Sequence, residues 1–233
     1  MFSFFCMGSA FPQLLYGLAE GFSWRAVVVS TSGLAVVSGI AVYSFVGIGP
    51  FPFPSSQFDV QKLLGVCRNR NVMLSIAAYC GHQWELFCVW AWCAQFLENI
   101  HDLSHTSAHV WAFVIISMGG PGSWLGGRLG DRYGRVRTAL VMVAVSGACT
   151  LVLGLLDDLW PFPVWIAICV VWGLTSLADS PNYSALVTIS ADQQSVGTAV
   201  TFQLFCGYFI TIRPSCPSGW SPRCPAPGPG AGR

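Results

Sequence analysis

Charged side chains are scarce in this sequence. Asp, Glu, Lys and Arg make up 9% of the 233 residues, whereas soluble domains carry about 25%. Hydrophobic residues make up 54%, and the mean hydropathy is +0.59. This composition excludes an ordinary soluble domain and predicts an integral, multi-pass membrane protein surrounded by the lipid bilayer. The plasma or inner membrane is the expected location. The net charge is only +1 and the basic residues form no single patch, which argues against nucleic-acid binding.

Motifs for catalysis and cofactor binding are also missing. No Lys followed by Ser or Thr ends a glycine-rich loop, no HExxH or nucleophile elbow occurs, and the ten cysteines form no CxxC pair. No metal-ligand spacing is recognised, so neither a metal nor a cofactor is expected. The first apolar stretch has no basic region before it, so no secretory signal peptide is expected. These absences disfavour an enzyme.

Seven apolar windows are long enough, or nearly so, to cross a membrane, which takes roughly 20 residues. Basic loops after the second and fourth windows alternate with acidic connections after the third and fifth. Because Lys and Arg concentrate on the cytoplasmic side, the loops at 48–71 and 127–137 are predicted to be cytoplasmic. The predicted fold is all-α and polytopic. The windows cover about residues 2–18, 25–47, 72–97, 109–126, 138–156, 164–189 and 196–212.

Proline marks two segments that are predicted to lie outside the transmembrane helices. Pro50, Pro52 and Pro54 lack backbone donors and restrict the residues before them, so they indicate a long loop at 48–71. Residues 213–233 are rich in Pro and Gly and offer little apolar surface, so a disordered tail is expected there.

The third window carries a row of polar side chains. Tyr79, His82 and Glu85 are spaced by three residues and share a helix face with Ser75. Ionisable groups inside a membrane are costly and usually functional. Because histidine changes charge near neutral pH, the row suits proton coupling or substrate binding. The alternative is that His82 and Glu85 only hold helices together.

The sixth window combines a carboxylate with a proline. Asp179 stands two residues before Pro181, and a proline inside a spanning helix bends it and frees a backbone carbonyl. A kinked helix that carries a carboxylate suggests the wall of a transport pathway. Equally open is a role for Asp179 as a helix cap or as the partner of a loop arginine. Asn182 is a weaker candidate for binding and is better explained as a packing contact.

Glycines are concentrated at the end of the fourth window. Gly122 and Gly126 have GxxxG spacing, which lets two helices approach closely where lipid gives no hydrophobic drive. Close helix packing is therefore the favoured interpretation.

The run that follows has the pattern G-x-L-x-D-R-x-G-R-x-R/K, which is carried by Gly127, Leu129, Asp131, Arg132, Gly134, Arg135 and Arg137. This pattern resembles the signature loop of the major facilitator superfamily. The resemblance implies a transporter whose substrate lies between two six-helix halves. It also implies that this run is the second copy of the signature, so that the windows correspond to helices five to eleven.

The segments around Tyr79 and Asp179 resemble a cyanate and nitrate/nitrite transporter-like branch. The resemblance implies two helices of an N-terminal bundle in 1–47, a central loop in 48–71 and a C-terminal bundle in 72–212. The expected function is secondary transport, proton-coupled or facilitative, of a small polar or anionic solute. The alternatives are a non-transporting fragment, which needs a missing N-terminal half or another membrane chain, and a membrane-embedded enzyme.

Overall fold

A bundle of α-helices makes up the computed structural model, which describes residues 2–18, 24–47, 60–101, 103–155 and 161–212. These residues contain ten α-helices and no strand. The helices are α1 (Phe2–Leu18), α2 (Trp24–Phe45), α3 (Val60–Arg68), α4 (Arg70–His101), α5 (His105–Ser117), α6 (Gly119–Tyr133), α7 (Arg135–Leu155), α8 (Phe162–Ser176), α9 (Ser180–Ser190) and α10 (Val196–Ile210).

Three segments of the described chain are both long and apolar enough to span a membrane: Arg25–Phe45, Arg135–Leu155 and Phe162–Ser190. Phe4–Leu18 and Val196–Ile210 are shorter apolar helices. The fourth and sixth predicted windows each form two helices, α5 with α6 and α8 with α9. The all-α, polytopic prediction is therefore confirmed. The bend predicted near Pro181 is a break between α8 and α9, whereas the break between α5 and α6 was not predicted. The predicted tail at 213–233 lies outside the described residues.

Helix α4 occupies the middle of the bundle, where it packs against α5, α9 and α10. The main core lies between α4, α5 and α8 and includes the fully buried side chains Leu97, Ile115 and Trp165. Helix α1 packs against α5 and α6, whereas α2 contacts α1 only weakly and its spanning window buries no residue. Among the described residues, helices α3 to α10 thus pack together, and α1 lies against α5 and α6.

The prediction of a loop over 48–71 is wrong from residue 60 onward. Helix α3 covers Val60–Arg68, and its buried Val66 packs with Val72 of α4 and Val187 of α9. Asn69 joins α4 to α9. Its Oδ1 accepts hydrogen bonds from the N–H groups of residues 71 and 72 in α4, and its Nδ2 donates to the Ser190 carbonyl of α9 at 2.9 Å. An asparagine that accepts from the first turn is a favoured N-cap, so α4 begins directly after it. The prolines before residue 60 gave no sign of this short amphipathic helix.

The signature run is also helical rather than a loop. Helix α6 continues to Tyr133 and α7 starts at Arg135, so Gly134 alone separates them. Gly134 has φ +94°, a conformation that glycine adopts readily and other residues rarely do. A one-residue turn is therefore sufficient to reverse the chain here, and the charges of the run lie on helix ends.

A column of glycines holds α6 against the break between α8 and α9. A Cβ added to Gly122 would overlap the Leu174 carbonyl oxygen, and one added to Gly126 would overlap the Ala178 carbonyl oxygen. One turn further, Asn182 donates from Nδ2 to the Gly126 carbonyl at 3.1 Å. The GxxxG spacing thus brings two backbones into direct contact, as small residues do in membrane helix packing.

Candidate functional site

A groove of about 700 Å³ lies between α4, α7 and α9. Its polar side chains come mainly from α4, and α7 supplies an apolar wall. From Asn71 to Glu85 the α4 side of the groove is about 21 Å long at 1.5 Å per residue. The lining residues are Asn71, Leu74, Ser75, Ala78, Gly81, His82, Glu85, Val136, Ala139, Leu140, Val143, Tyr183, Leu186 and Ser190.

His82 connects this groove to the helix break. Its Nδ1 lies 2.9 Å from Asp179 Oδ1, and both side chains are almost fully buried, at 1% and 2% exposed. The contact has the distance of an ion pair but not the alignment of a hydrogen bond, and His82 Nε2 has no partner among the described residues. The structure therefore brings together two site residues that lie 97 positions apart in the sequence. Asp179 itself is not among the residues that line the groove.

Glu85 lies at the end of the groove that is furthest from Asn71, where side chains of α7 and α8 hold it. Ser146 of α7 donates a hydrogen bond to Glu85 Oε1, and the Trp172 indole N–H of α8 donates to the same oxygen at 3.0 Å. Glu85 is half-buried, and these donors satisfy its shielded oxygen, since a buried polar group left unsatisfied costs ~1–3 kcal/mol. Ser146 and Trp172 were absent from the sequence-based site because nothing in a single sequence links them to Glu85.

Tyr79 does not line the groove, although its spacing placed it with His82 and Glu85. Successive helix residues are about 100° apart, so a spacing of three shifts each side chain by about 60° in one direction. Tyr79 and Glu85 are therefore about 120° apart, and Tyr79 packs against Gly207 of α10 instead. The Tyr79 ring still lies near His82, with centroids 6.1 Å apart, while the Tyr183 ring, which does line the groove, has its centroid 5.5 Å from that of His82.

Asn182 is completely buried in the contact between α6 and α9. Besides its bond to the Gly126 carbonyl, its Oδ1 faces Gly130, where an added Cβ would overlap it. The structure thus places Asn182 in helix packing, away from the groove lining.

The signature run forms a group of charges at the ends of α6 and α7. Asp131 Oδ1 accepts a hydrogen bond from Arg135 Nη2 at 2.7 Å, across the one-residue turn at Gly134. The Arg132 guanidinium lies 5.4 Å from the Tyr133 ring centroid. Gly127 has open space where a Cβ would stand, and Arg137 is exposed.

One cluster of possible metal ligands was missed. Glu98, His105 and His109 offer ligand atoms that all lie within 4.8 Å of one another. The expectation that the chain has no metal-ligand spacing is therefore wrong, since His105 and His109 are four residues apart on one helix, a spacing that places two ligands on one face. That signal was visible in the sequence, whereas the approach of Glu98 from α4 was not.

Two transporters of Escherichia coli are similar in sequence to parts of this chain. The 3-(3-hydroxy-phenyl)propionate transporter of Escherichia coli (strain K12) is 36% identical over 87 residues, which cover 37% of this chain and 21% of that protein. The probable galactarate/D-glucarate transporter GudP of the same organism is 31% identical over 117 residues, which cover 49% of this chain and 25% of that protein.

The fold is similar to that of a bacterial homologue of the human lysosomal transporter Spinster, crystallised in an inward-facing and unoccupied conformation. The TM-score is 0.59 at 14% identity, and the match covers 90% of this chain and 49% of that one. This chain thus matches half or less of the length of each of these proteins. The family model of the Major Facilitator Superfamily matches residues 1–212. The chain is therefore an integral membrane protein that belongs to the Major Facilitator Superfamily of transporters.

Proposed function

We propose that this chain supplies the C-terminal helix bundle of a secondary active transporter, which couples movement of a small anionic solute to protons. Residues 72–212 would form that bundle, and 1–47 the last helices of the other half. The observation that carries the proposal is the buried contact between His82 and Asp179 beside the groove, with Glu85 one turn further along α4.

Ionisable groups at membrane depth destabilise a protein, so their presence indicates a function. Ionisable residues in spanning segments cost about 2.5–3.5 kcal/mol each even on lenient insertion scales, and they commonly mark proton pathways. His82 lies within reach of Asp179, and Glu85 lies on the same face of α4. A proton bound by one of these groups therefore has acceptors nearby on both the groove side and the side of the helix break.

The break between α8 and α9 gives Asp179 a means of moving relative to His82. Helix α8 ends at Ser176 and α9 starts at Ser180, with Pro181 in its first turn, where proline's missing N–H is tolerated. Non-helical backbone inside a membrane persists where protein or a wet cavity supplies partners. A change of tilt at this break would alter the His82–Asp179 distance, which would link proton binding to helix movement.

The relatives suggest the class of solute. Both transporters from Escherichia coli are named for organic carboxylates. Among the described residues that line the groove there is no Arg or Lys, so protonated His82 is the one cationic group that this part of the wall could offer. We propose an organic carboxylate as the solute, in preference to cyanate or nitrite, and the plasma or inner membrane as the location, with the signature run in the cytoplasm.

Uptake into proteoliposomes that hold the chain joined to a complementary helix bundle tests this function. The labelled solutes are 3-(3-hydroxyphenyl)propionate, D-glucarate, cyanate and nitrite, each with an inward proton gradient and after its collapse by a protonophore. We expect a carboxylate to accumulate only while the gradient is present. Accumulation of cyanate or nitrite alone would contradict the solute class, and uptake that is unaffected by the protonophore would instead indicate facilitated diffusion.

A second proposal concerns the partner that transport requires. Helix α2 is apolar along its length, buries none of its spanning window and touches little besides α1, and the chain matches half or less of its relatives. We therefore propose that the chain transports only with a complementary helix bundle. Uptake by the chain alone should then be absent and should appear when the chain is joined to the remaining helices of the 3-(3-hydroxy-phenyl)propionate transporter. Equal uptake by both forms would contradict the requirement.

A further inference from the structure

Glu98, His105 and His109 form a compact group at the end of the bundle opposite the signature run. Glu98 is in the last turn of α4, and both histidines are in the first two turns of α5. The ligand atoms of the three side chains lie within 4.8 Å of one another, and His109 Nε2 is 3.9 Å from Glu98 Oε1. Two helices thus direct two imidazoles and one carboxylate at a common point.

Helix α1 fixes the orientation of the His109 ring. Gln13 donates from Nε2 to the Trp90 carbonyl at 3.3 Å, so its Oε1 faces the other way, and that oxygen lies 2.7 Å from His109 Nδ1. Nδ1 must therefore carry the proton that is donated to Gln13. Close packing supports this arrangement, because a Cβ on Gly17 would lie only 2.6 Å from His109 Cβ.

The two facing ligand atoms lack a partner between them. With Nδ1 of His109 held by Gln13, the other ring nitrogen, Nε2, faces Glu98 Oε1 across 3.9 Å, which is too far for a hydrogen bond. Glu98 Oε1 is buried and has no hydrogen-bond partner among the described residues. A metal ion between the two atoms would bind both, and a neighbour that holds the far ring nitrogen is typical of metal-bound histidine.

We infer that these three side chains form a binding site for a divalent transition-metal cation of the Zn²⁺ class. Two imidazoles and one carboxylate are a donor set that Zn²⁺ accepts in proteins, with water in the remaining position. Zn–N and Zn–O distances of about 2.0–2.2 Å set tetrahedral ligand atoms about 3.4 Å apart. The three ligand atoms, which now lie within 4.8 Å of one another, would have to approach by up to about 1.4 Å through side-chain rotation to close around the ion. Mg²⁺ and Ca²⁺ prefer all-oxygen ligands and should bind poorly.

The site would join three helices at that end of the bundle. The metal would tie α4 to α5 directly, and Gln13 would extend the link to α1 through His109. If α1 moves with the other half of the transporter, a bound ion would hinder that movement. Metal binding is measurable without any transport, so its outcome is separate from that of the proposed function.

Calorimetric titration of the purified, tag-free chain in detergent tests the inference. We expect one Zn²⁺ per chain at this site, with affinity lowered at least tenfold by Glu98→Gln and by His105→Ala. Gln13→Ala should weaken Zn²⁺ binding by roughly 10-fold, because the residue that holds the far nitrogen of a metal-bound histidine orients its ring. Asn99→Ala, an exposed neighbour of Glu98, is the matched control and should bind as the wild type does.

Cobalt distinguishes this site from the ten cysteines of the chain. Co²⁺ bound by histidine and carboxylate shows no thiolate charge-transfer band. The Co²⁺ ion that binds to the wild type but not to His105→Ala should therefore contribute no such band. Folding of each variant is checked by helical circular dichroism. Unchanged Zn²⁺ affinity in folded Glu98→Gln and His105→Ala, absence of binding to the folded wild type, or a thiolate band for the released ion would overturn the inference.

Discussion

The glycine column of α6 gives a sharp prediction about stability, because two adjacent glycines differ in their surroundings. A Cβ on Gly126 would overlap the Ala178 carbonyl oxygen, whereas a Cβ on Gly127 would have nothing within 4 Å. Both residues are in the same turn of the same helix. Gly126→Ala and Gly127→Ala therefore add the same methyl group and differ only in what it meets.

The expected difference follows from two opposing contributions. Alanine favours a helix over glycine by ~1 kcal/mol, and this gain applies at both positions. Overpacking a tight contact costs ~1–3 kcal/mol, and the obstacle at Gly126 is a backbone oxygen that cannot rotate away as a side chain could. Since the helical gain cancels in the comparison, Gly126→Ala should be less stable than Gly127→Ala by ~1–3 kcal/mol. For a chain of this size 1 kcal/mol shifts Tm by about 2–4 °C, so the melting temperatures should differ by roughly 2–12 °C.

Thermal unfolding in detergent measures this difference. A thiol-reactive dye reports it, because Cys93 and Cys169 are buried in the folded bundle and react when it opens. If Gly126→Ala melts at or above the temperature of Gly127→Ala, the close contact between α6 and the α8–α9 break is wrong.

Three further predictions use the same melting assay. Asn69→Ala should lower stability by ~1–3 kcal/mol, because it removes the cap of α4 and the bond to Ser190; an unchanged Tm would refute the capping role. Gly134→Ala should cost ~1–3 kcal/mol because its φ of +94° strains any other residue, and a Tm equal to that of Gly147→Ala, which has open space around it, would count against this. Asp131→Asn should change stability by at most ~0.5 kcal/mol, since its pair with Arg135 is an exposed i,i+4 contact; a Tm drop above about 4 °C would show a larger structural role.

Much of the architecture was predictable because each membrane helix is a continuous run of apolar residues, which is visible in the local sequence. The apolar windows located α1, α2, α7 and α10, and Pro181 indicated the break that separates α8 from α9. Helix α3 was missed because proline before it and basic residues within it suggested a loop, although its apolar residues lie on one face and Val66 is buried. The helical signature run was missed for a related reason, since charge at a helix end does not prevent helical backbone.

The candidate site was predictable in its members but not in its contacts. His82, Glu85 and Asp179 stood out because each places an ionisable group in an apolar window. The pairing of His82 with Asp179, and of Glu85 with Ser146, depends on how distant helices pack, and a single sequence carries no information about that. Tyr79 was grouped with them because a spacing of three resembles the period of a helix. Each step of three, however, rotates the side chain by about 60° around the helix axis.

Proton coupling at Glu85 is tested most directly by two transport assays of Glu85→Gln, one of accumulation and one of exchange. Proteoliposomes hold whichever form supports uptake, the chain alone or the chain joined to a complementary bundle. Thr188→Ala, which alters an exposed residue of α9 outside the groove lining, is the control and should behave like the wild type. If Glu85 carries the coupling proton, Glu85→Gln should lose accumulation driven by the proton gradient and keep the exchange of labelled for unlabelled solute. Accumulation equal to that of the wild type would contradict the proposed coupling at this site.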